Sequence, residues 1–105
     1  MPQLPSPETY LDVVVEEDIA DMIEDFLQNR RDDQKRLALA IAQHDLEQSR
    51  RISHAMKGVG GMYGFHWISA VAAEIEQASQ ENPTRLPALS AQLEWYLDRV
   101  HYRTA

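Results

Sequence analysis

Residues 53–64 read SHAMKGVGGMYG, and residues 46–52 before them read LEQSRRI. The earlier segment has no helix breaker and the apolar spacing continues through the later one, so one helix is predicted over both. On a wheel of about 100° per residue, one side is apolar and should face a core. That side carries Ile52, Ala55, Met56, Val59, Met62 and Tyr63. His54 falls opposite and is predicted to face solvent.

Four residues share the outward face with His54: Arg50 at i−4, Lys57 at i+3, Gly58 at i+4 and Gly61 at i+7. These spacings bring helical side chains together. The imidazole is therefore expected to have cations on one flank and bare backbone on the other.

Glycines are costly inside this helix. Gly58, Gly60 and Gly61 together give up about 2 to 3 kcal/mol relative to alanine. Solvent would accept any polar side chain, so their presence indicates a close approach, either of another molecule to the imidazole or of a neighbouring helix.

Three further amphipathic segments accompany this one. The first helix is predicted over about residues 17–43, the third over about residues 66–80, and the fourth after the turn at residues 81–84. Asp45 is a candidate cap for the second helix and Gly64 a candidate end. Short connections between four such helices predict an all-α antiparallel four-helix bundle. The predicted inward residues are Ile19, Ile23, Phe26, Leu27, Leu37 and Ile41, then Ile68, Val71, Ala72 and Ile75, then Leu86, Leu89, Leu93, Tyr96, Leu97 and Val100.

Residues 1–16 are predicted to be an arm or linker, and residues 17–105 the four-helix domain. Pro2, Pro5 and Pro7 disfavour a helix at the start. The apolar residues of segment 10–15 are too few to predict a sheet, so we expect them to cover one end of the bundle as an arm or short helix.

The stripe of the first helix is polar between Leu27 and Leu37. If the first two helices form an antiparallel hairpin that turns near residues 44 and 45, counting equal numbers of residues in both directions from the turn places residue 35 opposite His54. Gln34 would then lie beside the glycines and contact a partner. Alternatively, Arg30 simply extends from the edge of the bundle.

Composition excludes several classes of function. The 105 residues carry a net charge of −7, which argues against nucleic acid as a partner. Without cysteine there is no disulfide or thiolate zinc site. No apolar run approaches the roughly 18 residues of a membrane span, and no secretion signal is recognisable, so a cytoplasmic location is expected. The four histidines show no metal-binding spacing, so no metal is expected. The sequence contains no nucleotide-binding signature, so kinase activity of its own is not expected.

The pattern His54-x-x-Lys57-Gly58, followed by Gly64, resembles the signature of the histidine phosphotransfer (HPt) domains of multistep phosphorelays. The resemblance extends over residues 17–103 in helix number, helix order and position of the motif.

The resemblance implies a phosphocarrier. His54 would accept a phosphoryl group from an aspartyl phosphate on a receiver domain and pass it to another receiver. Lys57 would offer a cation to the phosphoryl oxygens, Gly58 would leave clearance for the partner, and Gly64 would end the helix. A docking role for Arg50, Gln34 and Gly61 follows from the wheel alone. The implied partners are response-regulator receiver domains and a hybrid sensor histidine kinase. The receiver would hold Mg²⁺, and the chain itself is expected to need no cofactor and to be a monomer.

Two alternatives stay open. A transmitter domain of a chemotaxis-type kinase would share the motif but receive its phosphoryl group from an ATP-dependent kinase domain. A non-catalytic adaptor would use the same face only to bind a receiver.

Overall fold

A computed structural model of the chain describes residues 4–105, most of which lie in four α-helices. The helices are α1 (Ala20–Ala42), α2 (Leu46–Gly60), α3 (His66–Glu81) and α4 (Leu86–Arg99). Among them, α2 packs most extensively against α3, while α1 contacts both α2 and α4. The prediction of an all-α four-helix bundle is confirmed.

The ends of α2 follow from local chemistry. The Asp45 carboxylate accepts a hydrogen bond from the backbone nitrogen of Gln48 at 3.1 Å, which caps the first turn. The α-helical part ends at Gly60, and a 3-10 turn over Gly61–Tyr63 continues to Gly64. Gly64 has a φ of 89°, a left-handed conformation that glycine adopts without strain, so it ends the segment as predicted.

One hydrophobic core receives side chains from all four helices. The predicted inward residues of α3 and α4, together with Val100, are all buried, and in α1 the four predicted residues from Ile23 to Leu37 are buried. Ile19 and Ile41 are half-buried against the core. Trp67 and Tyr96 stack with ring centroids 4.6 Å apart, which joins α3 to α4.

The segment before α1 forms a strand, contrary to prediction. Strand β1 (Asp12–Val15) pairs in parallel with β2 (His101–Thr104), which directly follows α4. Val13 and Val15 face the core while Val14 is exposed, the alternation of a half-buried strand. Four residues are enough to form a strand here because residues 101–104 supply a strand for them to pair with.

The described part of the arm packs into the same core as the helices. The Trp67 indole nitrogen donates to the carbonyl oxygen of Pro5 at 2.7 Å, and the Tyr96 hydroxyl donates to that of Tyr10 at 2.8 Å. The arm covers one end of the bundle as predicted. Residues 4–16 are therefore joined to the helices by packing and by hydrogen bonds.

Two residues that the wheel assigned to the core are exposed, and this prediction is wrong. Met62 is 68% exposed, and Ala55 is also exposed, whereas Ile52 and Met56 are buried. Met62 follows Gly60, where the winding changes from α to 3-10, so a constant 100° per residue no longer applies. Ala55 lies at the solvent edge of the apolar stripe.

Candidate functional site

His54 projects from α2 into solvent, with 65% of its side chain exposed. Its Nδ1 atom lies 2.7 Å from Oε2 of Glu76 on α3. One ring nitrogen is therefore held by the neighbouring helix. The imidazole is accessible but not free to rotate without losing this contact.

Lys57 lies one turn along α2 and contacts the same carboxylate. Its Nζ atom donates to Oε1 of Glu76 at 2.7 Å. The Glu76 side chain is only 17% exposed, whereas that of Lys57 is 41% exposed. Glu76 thus bridges the histidine and the lysine, one carboxylate oxygen for each.

The charge of Glu76 fixes the hydrogen on the imidazole. The hydrogen bond from Lys57 lowers the pKa of Glu76, partial burial raises it, and the bond to His54 lowers it further. The net pKa is below its ordinary value, so the carboxylate is ionised near neutral pH and can only accept hydrogen bonds. The hydrogen between the two side chains therefore belongs to Nδ1 of His54. The lone pair of neutral imidazole is then on Nε2, directed away from Glu76.

The close packing of α2 on α3 brings Glu76 to this position. A Cβ on Gly60 would lie 2.8 Å from the backbone nitrogen of Ser69, so only glycine allows this approach without rearrangement. The Ser69 hydroxyl also donates to the carbonyl oxygen of Lys57 at 2.8 Å. Of the two explanations for the glycines, the approach of a neighbouring helix therefore applies to Gly60.

Sequence reasoning missed Glu76, although a signal was present. Counting equal distances from Phe65, in the turn between α2 and α3, sets residue 76 opposite residue 54.

Gly58 and Gly61 leave open backbone beside His54. Among residues 4–105, nothing lies within 4 Å of the point that a Cβ on Gly58 would occupy. For Gly61 the nearest atom within that range is Nδ1 of His66, at 3.9 Å. Packing among these residues therefore does not require glycine at either position, which leaves room for another molecule.

Arg50 is beside the site but engaged with another carboxylate. Its guanidinium group contacts Glu47, with Nε 3.2 Å from Oε2 and Nη2 2.7 Å from Oε1. Glu76 also contributes to raising the pKa of Arg50, although less than Glu47 does. The guanidinium group is therefore within electrostatic range of the Glu76–His54 pair.

Gln34 does not join the site. It is 7% exposed, lies between α1 and α4, and donates to the Ser90 hydroxyl at 3.4 Å. Its position in the stripe faces α4 and its side chain is buried, which counts against the prediction that Gln34 contacts a partner. Arg30 lies over the Phe26 ring at 5.0 Å and pairs with Asp33 at 2.9 Å, which matches the alternative of an edge residue.

Within residues 4–105, no three histidine, aspartate or glutamate side chains form a group that could hold a metal ion. None of the helices in this part of the chain has the length and apolar character needed to cross a membrane.

The helical bundle and its exposed, carboxylate-held histidine define a phosphotransfer-type domain. The sequence model of the family described as Hpt domain matches residues 21–102, which is most of the chain. This chain belongs to the Hpt domain family, whose members carry out histidine phosphotransfer in phosphorelays and interact with receiver domains of response regulators or hybrid kinases. Searches of curated proteins and of solved structures each found no match.

Proposed function

We propose that this chain is a cytoplasmic phosphocarrier that accepts a phosphoryl group on Nε2 of His54 from one receiver domain and passes it to another. The observation that carries the proposal is the contact between Glu76 and Nδ1 of His54. It leaves the lone pair on Nε2 of a side chain that is 65% exposed, one helical turn from the open backbone of Gly58.

The transfer requires no separate base. The Nε2 lone pair forms a bond to phosphorus while the bond from phosphorus to the aspartyl oxygen of the receiver breaks, and that carboxylate keeps the electron pair. The Nδ1 hydrogen stays on the ring, which becomes a cationic imidazolium. Onward transfer reverses these changes, with the aspartate of a second receiver as the attacking group.

Glu76 stabilises the charge that develops on the ring. The carboxylate already accepts the Nδ1 hydrogen, so no rearrangement is needed when the imidazole becomes positive. The same contact keeps the ring oriented for in-line attack, which is the principal source of rate in phosphoryl transfer. Glu76 is thus proposed as a positioning residue for His54.

Lys57 supplies positive charge to the phosphoryl oxygens. Its ammonium group has three donors, one of which is used by Glu76. The exposed remainder can contact the transferred group while the ion pair persists. The Mg²⁺ that neutralises the rest of the charge is expected on the receiver.

The proposed receiver-binding surface extends from His54 along α2 past Gly58 and Gly61 to Met62. A partner of standard size covers about 800 Å², a patch of about 16 Å radius. Met62 is eight residues after His54, about 12 Å along a helix axis, and so lies within this patch. Met62 also lines a groove of about 330 Å³, together with Met22 and Val59. Methionine side chains adapt to different surfaces, which suits a protein that must accept two receivers.

The decisive experiment uses a receiver labelled with radioactive phosphate. Incubation with this chain should move label onto the wild-type protein and onto His101→Gln, which removes an exposed histidine from β2. His54→Gln should acquire no label while still binding the receiver. The linkage should be stable to alkali and labile to acid, as expected for phosphohistidine.

Two results would favour the alternatives. Label that arrives only from ATP and a kinase domain would identify a chemotaxis-type transmitter. Receiver binding with no labelling under either condition would identify an adaptor.

A further inference from the structure

A second carboxylate lies on the N-terminal side of His54 and holds two arginines. Glu47 accepts two hydrogen bonds from Arg50, in a forked arrangement, and one from Nε of Arg51 at 3.2 Å. The contact with Arg50 lowers the pKa of Glu47 to about 2. The carboxylate is therefore charged throughout the physiological range and competes for both arginines.

Arg50 and Lys57 lie on the same flank of His54. On the helical wheel Lys57 is about 60° and Arg50 about 40° from His54, both toward Glu76, whereas Arg51 is about 60° away on the other flank. Arg50 is four residues before His54, so their Cβ atoms are about 6 Å apart. The arginine side chain is long and has several rotatable bonds, so rotation about them can bring the guanidinium group around the ring to a substituent on Nε2.

Phosphorylation would change which partner binds Arg50 more strongly. A phosphoryl group carries about −1.5 to −2 charges and three acceptor oxygens, more than the single charge and two oxygens of Glu47. Arginine forms two parallel hydrogen bonds with such a group. Lys57 can contact the group without leaving Glu76, whereas Nε and Nη2 of Arg50 are both engaged with Glu47. Arg50 is therefore the cation that would have to exchange partners.

We propose that Arg50 exchanges Glu47 for the phosphoryl group when His54 is phosphorylated, and that Glu47, by competing for Arg50, sets how strongly this chain retains the group. The inference rests on the proposed function and adds a control of the transfer equilibrium. Glu47 is a positioning residue in this scheme, since it acts only through Arg50. By competing for Arg50, Glu47 makes the phosphohistidine less stable relative to the aspartyl phosphate of a receiver, which favours onward transfer.

The test measures the equilibrium partition of label between a receiver and four proteins: wild type, Glu47→Gln, Arg50→Ala and the double variant. Exposed ion pairs are weak, so Glu47→Gln should shift label toward His54 by only about two- to fivefold. Arg50→Ala should shift it the other way by a similar factor. In the Arg50→Ala background, Glu47→Gln should have no further effect.

An unchanged partition in Glu47→Gln would overturn the inference, as would an effect that persists without Arg50. An effect that disappears with Arg51→Ala instead would also overturn it, because the exchange would then involve the other arginine. A wild-type protein that takes no label on His54 would contradict the proposed function itself, which distinguishes the two failures.

Discussion

The backbone nitrogen of Ser69 lies 2.8 Å from the point that a Cβ on Gly60 would occupy. Two residues earlier, the corresponding point on Gly58 is open. Glycine at these two positions of the same helix therefore serves different purposes. Gly60 lets α3 approach α2, and Gly58 is proposed to let a receiver approach His54.

The two glycines give opposite predictions for stability. Gly58→Ala should raise the free energy of unfolding by about 0.5 to 1 kcal/mol, because alanine favours a helix and meets nothing here. Gly60→Ala should lower it by about 1 to 3 kcal/mol, because backbone atoms of α3 must move. Urea denaturation measures both.

Gly58→Leu tests the clearance directly. It should slow transfer from a phosphorylated receiver by at least about tenfold, since a displacement of about 1 Å is enough for such a loss, while the bundle keeps or gains stability. Gly58→Ala is the matched control with a smaller effect. A normal rate in Gly58→Leu would show that no partner atom approaches this part of the backbone.

Glu76→Gln should slow phosphorylation of His54 by about tenfold, because a hydrogen bond to a charged partner contributes about 1.5 kcal/mol. Glutamine retains the shape but not the charge. Its amide group can donate as well as accept a hydrogen bond, so it no longer fixes the hydrogen of His54 on Nδ1. Single-turnover labelling measures the rate, and ring nitrogen shifts in NMR report the tautomer. Glu74→Gln, on the same helix and paired with Arg85, is the control and should transfer normally. Equal rates in both variants would contradict the positioning role.

The pKa of Glu76 predicts a pH dependence of stability. Because the folded-state pKa lies below the ordinary 4.5, the ionised carboxylate stabilises the fold above that pH, and this contribution is lost as the pH falls through the folded value. The difference in unfolding free energy between wild type and Glu76→Gln should therefore shrink as the pH falls below 4.5. A difference that does not change on acidification would indicate that the effect is packing and not charge.

Lys57→Ala should slow transfer or shorten the lifetime of phosphohistidine without unfolding the bundle. The Lys57 side chain is 41% exposed and, in the described part of the chain, forms an ion pair with Glu76, so little stability is at stake. Lys35→Ala, an exposed lysine on α1, is the control. If rate and lifetime both stay at the wild-type value, the electrostatic role of Lys57 is excluded.

Met62→Asp should weaken receiver binding by about tenfold or more, since the substitution places a charge in an apolar contact. The residue is exposed, so the variant should fold normally. Leu39→Asp, which places the same charge at an exposed apolar position of α1, provides the comparison. Titration of a fluorescent receiver measures both, and equal affinities would place the interface elsewhere.

The helices and most of the core could be predicted because their signals are local. An apolar period of 3.6 residues fixes which side of α3 and α4 is buried, and Asp45 and Gly64 mark the ends of the segment that carries the site. His54, Lys57 and Gly58 are recognisable for the same reason, since their spacing is read within one helix.

The features that were missed depend on how distant parts of the chain meet. Glu76 reaches His54 only through the register of α2 against α3, which Gly60 and Ser69 determine. Gln34 has the same stripe position whether it faces α2 or α4, so periodicity cannot distinguish a docking residue from a buried one. For β1, the pairing partner is at the opposite end of the sequence, beyond the reach of a local pattern.

The parallel pairing of β1 with β2 has a consequence for the order of folding. Asp12 lies opposite His101, so the four intervening helices must all be made before β1 has a partner strand. During synthesis the helices can associate progressively, whereas the valines of β1 must wait for residues 101–104 to emerge. Closure of this small sheet is therefore a late event in the folding of the domain, and the backbone groups of β1 have no strand partner until then.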